Sequence, residues 1–575
     1  MTNFFMQNIK LGLFSKSENT NGSFFLHIFQ FLIYTLVSNL LLASLIFLCG
    51  FSISWVLLPL SFIFGTVLLI IFYNEKLSYK IFFEIIVGTL LFMLLVIISS
   101  FFYNFAWDGN TYHKYAVGLL SKGWNPLREL PSDQFIGEFS GSSNLWVEAY
   151  CKFTWILGAN IYTITKDIET GKMYTMLGMV MVFVLVFYFL NKKGNKKYVS
   201  ILVALAASLN PIAIQQFNTF YLDGFLHLCL TMLLIALTMW LDKDTFDRKM
   251  SFSLVFSIMI ICANIKFTGL LFGGIFCIVY FLLDTIRNYK NYKKAFWKPS
   301  LITCGYFAII AIIAICFAGS TSYMTNLFRH GTLTYPLTGP NKVDIMTPNS
   351  PFTEVNHIKN LFISLFSYME NFAYSSGLKP TLKFPFWFDL SKESANLTEV
   401  DIRLSGFGIF FSAIFVISLI IIIVKLIKMK KDGKFWFLLT NLLMFVLITI
   451  SITESWWARY APCIYFTVLI ALYLILKSSK KVFKILGIAF SVLVIFNSAL
   501  FFKGTTSELQ KSIEVSENLT EISLSGPVYV YDGIFPGSYF NLIDKNVDFI
   551  INKDVQTLPN WQYSKYASIV WAPRQ

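Results

Sequence analysis

Long apolar runs broken by short polar loops dominate this chain. Runs of spanning character fall at 25–49, 52–73, 81–102, 173–190, 198–215, 222–241, 250–264, 268–284, 299–318, 405–424, 435–452, 461–476 and 482–502. The pattern predicts an all-α polytopic membrane protein with about 13 transmembrane helices, because a hydrocarbon core of ~30 Å takes ~20 residues at 1.5 Å rise. Several runs are short for that thickness. Short spans suit helices packed inside a bundle around a polar cavity.

The loops set the expected orientation. Lys192, Lys193, Lys196 and Lys197 form one basic loop, and Arg287, Lys290, Lys293 and Lys294 a second. Lys425, Lys428, Lys430, Lys431 and Lys434 form a third, and Lys477, Lys480, Lys481 and Lys484 a fourth. A cytoplasmic N-terminus puts all four on the cytoplasmic side and the C-terminus outside. Six regions follow. Residues 1–102 are an N-terminal cytoplasmic segment and three spans, 103–172 a first exterior loop with interfacial helices, and 173–318 a transmembrane core. Residues 319–404 are a second exterior loop, 405–502 the last spans, and 503–575 a small exterior α/β tail. Within the first loop, the run near 143–165 reads as an amphipathic helix lying on the membrane and shaping lipid access. In the tail, 527–531 and 547–551 read as short strands.

Composition sharpens this picture. Of the residues, 56% are hydrophobic, 18% aromatic and 14% charged, more apolar surface than a water-soluble domain can bury. The net charge of +14 is concentrated in the basic loops, so phosphate headgroups explain it and a nucleic-acid partner does not. The 8 cysteines form no CxxC pair and lie mostly in apolar runs, which makes them small core residues. No P-loop, dinucleotide fingerprint or HExxH spacing occurs. The spans carry almost no internal charge except Glu84, unlike ion-coupled transporters.

Candidate chemistry gathers at the exterior ends of the spans. Phe105-Ala106-Trp107-Asp108-Gly109-Asn110-Thr111-Tyr112-His113 sets an acid and an imidazole among aromatic rings just where the chain leaves the third span. The bland alternative is an interfacial aromatic belt with Asp108 solvated beside it. Asp223 opens the sixth span in Tyr221-Leu222-Asp223-Gly224, as a second acid or as a helix cap. Lys266 sits in the Asn264-Ile265-Lys266-Phe267-Thr268-Gly269 turn, and could simply snorkel. Arg329 and His330 precede Tyr335-Pro336-Leu337. Arg459 lies in the aromatic turn Trp456-Trp457-Ala458-Arg459-Tyr460, with Glu454 as an alternative partner. A carboxylate can take a proton from an acceptor hydroxyl, and cations can hold a phosphate leaving group. His113 reads as loop or hydrogen-bond support rather than a metal ligand.

This placement resembles the GT-C superfamily of integral-membrane glycosyltransferases, which use polyprenyl-phosphate-linked sugars. The resemblance rests on Asp108 in WDGNTYH followed by GWNP, Asp223 in YLDG, the short paired spans at NIKFTG, and TYPL in the second long loop, over roughly residues 81–470. It implies a catalytic role for Asp108, as general base or metal-site organiser, and makes Asp223 similar to the family's second acidic position. The paired Asp-Glu of the protein-mannosylating branch is absent, since Gly109 follows Asp108. So is WWDYG, since Ala458-Arg459 follows Trp456-Trp457.

The expected function is therefore sugar transfer from a polyprenyl-phosphate-type donor to a glycan, lipid or protein acceptor on the exterior face, in a bacterial cytoplasmic membrane and with inversion. Asp108 and Asp223 are the catalytic candidates. Trp107, Tyr112, His113, Trp124, Lys266, Arg329, Tyr335 and Arg459 are the substrate-binding candidates. No metal ligand is assigned; a divalent cation, Mg or Mn, stays open as cofactor. The rivals are an O-antigen-type polymerase or ligase, for which the second loop offers only Arg329 and Arg403, and a lipid or polysaccharide flippase.

Overall fold

The computed structural model describes residues 23–72, 79–340, 342–344, 347–353, 356–532, 534–564 and 569–574. The expected cytoplasmic segment before residue 23 lies outside them. The first part of the chain forms α1 (Ser23–Leu48), α2 (Leu57–Phe72), α3 (Tyr79–Ser100), α4 (Lys114–Ser121), α5 (Ser143–Ala149), α6 (Phe153–Thr165) and α7 (Tyr174–Lys192). Next come α8 (Lys197–Ser208), α9 (Pro211–Gln216), α10 (Asp223–Leu241), α11 (Arg248–Ile265), α12 (Phe267–Tyr292) and α13 (Trp297–Ile312). The second loop holds α14 (Thr325–His330), α15 (His357–Leu365) and α16 (Leu390–Glu393). Then follow α17 (Phe411–Lys428), α18 (Gly433–Ser451), α19 (Pro462–Leu476), α20 (Lys481–Ala499) and α21 (Phe502–Leu524).

Among the described residues, ten helical stretches are long and apolar enough to cross a membrane; α2, α8 and α19 are apolar but shorter. This is an integral membrane protein. The run expected to span 198–215 breaks at Asn210, whose side chain accepts from the Ile212 N–H at 3.0 Å while Pro211 opens α9. Polar pairs tie the bundle internally. His27 meets Glu84 at 2.8 Å, both buried, and Asn39 donates to Ser61 at 3.1 Å. At the basic end, Lys193–Asp242 (2.6 Å), Lys243–Asp284 (2.9 Å) and Arg248–Asp284 (3.2 Å) join the loops after α7 and α10 to α12.

The stretch 143–165 is not one amphipathic surface helix. It is two helices, α5 and α6, separated at Tyr150–Lys152. Residues 153–162 of α6 are all buried, against α1, α4 and the turn at Ile168–Lys172. Lys152 is buried at the break and donates to the carbonyls of Glu148, Tyr150 and Thr321 at 2.7–2.9 Å. That cage lets a charged residue sit where an interfacial helix would keep it in water.

The tail forms β1 (Val528–Tyr531), α22 (Ser538–Asp544), β2 (Phe549–Ile551), β3 (Gln562–Ser564) and β4 (Ile569–Pro573). Its sheet has the order β2-β1-β4-β3; β1 and β2 are parallel and the other pairs antiparallel. The two strands read from sequence are present, and β3 and β4 complete the sheet. The tail rests on the first loop. Gly537 N donates to Asn110 O at 3.0 Å, Lys114 Nζ to Asn541 Oδ1 at 2.7 Å, and Trp107 meets Phe535 edge-on at 4.9 Å.

Candidate active site

Asp108 sits immediately before a π-helical turn, Gly109–His113, at the exit of α3. The turn can form because Gly109 has no side chain: a Cβ there would stand 2.5 Å from the Asn104 amide. Asn104 Oδ1 in turn accepts from Phe220 N at 3.1 Å, which latches the first loop to the Tyr221-Leu222-Asp223 segment. Asp223 is the first residue of α10, but it is not the cap. Gln216 Oε1 accepts from the Gly224 N–H at 2.7 Å, and Gly224 lets α10 approach the α9 backbone, where a Cβ would meet Ala213 at 2.8 Å. The Asp223 carboxylate is thereby left for cations.

Lys266 is the single extended residue between α11 and α12. Its Nζ donates to Asp223 Oδ1 at 2.6 Å and lies 4.3 Å from the Tyr460 ring centre. Arg459, in the turn before α19, takes the centre. Its Nη1 is 3.5 Å from Asp108 Oδ2 and 3.7 Å from Asp223 Oδ2, and its Nε is 3.4 Å from Asp401 Oδ1. Its guanidinium lies 4.0 Å from the Trp457 ring centre and 5.0 Å from that of Tyr460, a favourable cation–aromatic setting. His227, one turn into α10, holds the Arg459 carbonyl at 2.9 Å. Three carboxylates from three separate segments thus face two cations.

The three acids are not equivalent. The Asp223 side chain is 4% exposed and doubly paired. The Asp108 side chain is 26% exposed and that of Asp401 24%, and among the described residues the ionic contact of Asp108 is a long one, 3.5 Å to Arg459. Burial, opposed by Arg459 and reinforced by the Asp108 and Asp223 charges, pushes the Asp401 carboxyl up to about 6. Arg403, two residues on, donates to Asn349 at 3.1 Å and stands 5.6 Å from the Trp457 ring centre. No carboxylate lies within 4.0 Å of it among the described residues, so it is the cation at this site left without an ion pair.

His113 serves as support. Its Nδ1 accepts from the Trp155 indole N–H at 2.8 Å, which assigns the ring proton to Nε2. Burial, with help from Lys266 and Arg459, lowers its pKa well below the usual imidazole value, so it is neutral at pH 7. Tyr112 stands beside it, half-buried, with Trp146 and Tyr150 at 6.1 Å. Burial first, then the Asp108 charge, pushes its phenol well up, so it stays a neutral hydroxyl.

Asp108, Asp223, Lys266 and Arg459 therefore converge, with Tyr112 and His113 adjoining. Other candidates lie elsewhere. Arg329 pairs with Glu148 at 2.9 Å, and Tyr335 stacks on His330 at 3.7 Å. Trp107 is exposed and turned to the tail. Trp124 is buried, with its indole N–H on the Glu129 carbonyl at 3.1 Å and its ring near Lys152. Glu454 is not the partner of Arg459; it bonds its neighbour Thr453. Sequence reasoning missed Asp401, although it satisfies the criterion that found Asp223: an acid just before a span on the same side.

Among the described residues, no group of three or more His, Cys, Asp or Glu side chains is arranged to hold a metal ion. Arg459 already occupies the space between the three carboxylates.

No family model matches this chain, and no curated protein matches it. Its fold is similar to the crystal structure of ArnT from Cupriavidus metallidurans in the apo state, with 10% identity, a TM-score of 0.45, and coverage of 84% of this chain and 97% of that one. At that identity and score the likeness carries no residue role across.

Proposed function

We propose that this chain is a GT-C-type membrane glycosyltransferase. It moves a sugar from a polyprenyl-phosphate-type donor to a glycan, lipid or protein acceptor on the exterior face of a bacterial cytoplasmic membrane. The observation that carries the reading is the meeting of Asp108, Asp223, Asp401, Lys266 and Arg459 at one end of an apolar bundle. Buried charge of this kind is costly in a membrane protein and marks function by default.

Asp108, partly exposed and loosely paired, is assigned as the acid that accepts a proton. In the proposed step its carboxylate takes the proton of an acceptor hydroxyl as that oxygen bonds to the anomeric carbon. The bond from the anomeric carbon to the phosphate oxygen breaks, and the electron pair leaves on the lipid phosphate. A single displacement, with the acceptor oxygen as nucleophile and Asp108 as base, inverts the anomeric centre. Asp223 and Lys266 hold Arg459, and Arg459 positions Asp108 at the site. Arg459 and Lys266 are already matched by carboxylates, and Arg329 by Glu148. Arg403 is the guanidinium left to meet the departing phosphate. Tyr112 supplies an aromatic face for a sugar ring.

The test is the purified protein in proteoliposomes with labelled polyprenyl-phosphate sugar. The expected result is transfer of label to an acceptor with stoichiometric release of polyprenyl phosphate. Movement of intact donor across the bilayer with no transfer to any acceptor would replace the enzyme with a flippase.

A further inference from the structure

On a water-facing surface, charged side chains point out and large apolar ones point in. Within residues 378–393 of the second loop, two charged side chains and a row of apolar ones reverse this order, while Lys379 and Lys392 stay exposed. Lys383 and Glu393 are turned inward, with both side chains 0% exposed and paired at 2.6 Å. Lys383 also donates to the Ile409 carbonyl at 2.9 Å, and Glu393 accepts from the Met369 N–H at 2.9 Å. Turned outward are Leu382, Phe384, Phe386, Trp387 and Leu390, each 49–68% exposed.

The segment is a built strap, held at both edges. Tyr368 N donates to Thr381 O at 2.9 Å and Lys383 N to Phe366 O at 2.8 Å. Ser412 Oγ, in the first turn of α17, donates to Pro385 O at 3.1 Å, and Phe388 packs edge-on against Phe410 at 4.6 Å. The outward apolar row therefore begins at the top of a membrane span. It continues along that span in Leu419, Ile420, Ile423 and Val424, which are 38–55% exposed.

We propose that this strap is a bilayer-seated surface: Phe384, Phe386, Trp387 and Leu390 lie at the boundary between headgroups and acyl chains, and lipid is their partner. An apolar patch of this size in water would be an association liability. Aromatic rings at the headgroup level are where indole and phenyl groups partition best. The inward ion pair has the same cause, since a Lys383–Glu393 pair turned outward would be lost to lipid.

Seating the strap also fixes part of the site. Lys392 pairs with Glu370 at 3.0 Å, and Glu370 O accepts from Leu404 N at 3.0 Å. The segment with Asp401 and Arg403 is thus pinned to an element whose height is set by the membrane. The proposal does not depend on sugar transfer.

The test places a photoreactive benzoylphenylalanine at single positions of the full chain in phosphatidylethanolamine–phosphatidylglycerol nanodiscs and reads adducts by mass. Trp387→benzoylphenylalanine is expected to give lipid adducts at a yield comparable to Ile423→benzoylphenylalanine on α17. Trp561→benzoylphenylalanine, exposed in the tail, is expected to lose them. Lipid labelling at 423 with none at 387 overturns the proposal. So do crosslinks from 387 to a second copy in place of lipid.

Discussion

Two charged clusters touch the first loop, one through Glu169 and one through Asp108, and they are built differently. Around Glu169 every contact is short and closed. Lys114 and Lys172 reach its two oxygens at 3.0 and 2.7 Å, Asn541 donates at 3.0 Å and the Asn104 N–H at 3.1 Å, with the three charged side chains no more than 2% exposed. Around Arg459 the three carboxylate contacts are 3.4–3.7 Å, and Asp108 and Asp401 stay about a quarter exposed. A saturated cluster holds the fold. A loose one keeps acceptor capacity in reserve for a substrate.

The Glu169 cluster also welds three regions: the Asp108 loop, the start of α7 and the tail. Removing one partner from a buried, hydrogen-bonded pair costs ~3–5 kcal/mol, because the remaining charge is stranded. Glu169→Ala strands both Lys114 and Lys172. The expected outcome is the largest stability loss in the molecule, read as a fall of that order in unfolding free energy in detergent. A small loss would mean that the closed cluster is not structural.

Arg459→Lys sharpens the contrast from the other side. A lysine keeps the charge but has no fork to bridge three acids. Transfer is expected to fall ~10²-fold or more, the scale on which a positioned charged group acts in a site, while unfolding shifts far less than for Glu169→Ala. Equal loss of fold and activity would make Arg459 a structural residue.

Asp401 gives a pH signature. Its folded pKa of about 6 is above its ordinary 3.8, so the folded state binds its proton more tightly than the unfolded chain does. The stability this confers is full below pH 4 and is lost as pH rises through 6. Asp401→Asn is expected to flatten the melting temperature across that window and to raise it at pH 7.5 relative to wild type. An unchanged slope between pH 4 and 7 would contradict the raised pKa of this carboxyl.

Arg329→Ala is expected to do least. Its pair with Glu148 is partly exposed, with side chains 27% and 19% accessible, and such pairs contribute ~0–1 kcal/mol. Transfer should stay close to wild type. A loss comparable to that of Arg459→Lys would return Arg329 to the site.

The comparison also separates what was legible in the sequence from what was not. Apolar runs and basic loops located the helices, because hydropathy acts over a whole segment. Asp108, Asp223, Lys266 and Arg459 were legible because polar groups at the ends of apolar spans are few. Arg329 fits the same rule, but its partner Glu148 is 181 positions away, and no local pattern encodes that pairing. The buried course of α6 was hidden for a similar reason: Lys152 is satisfied partly by the carbonyl of Thr321, 169 positions on. Asp401 was legible and overlooked. It lies beyond a long polar loop, where one more acid does not stand out against its neighbours.

The central claim is that Asp108 is held loosely because it must exchange a proton. The direct measurement is Asp108→Asn in proteoliposomes, with transfer from labelled polyprenyl-phosphate sugar and thermal unfolding read on the same preparation. Loss of a general base predicts a ~10²–10⁴-fold fall in transfer with an unchanged melting temperature. Undiminished transfer by a folded variant would contradict the account.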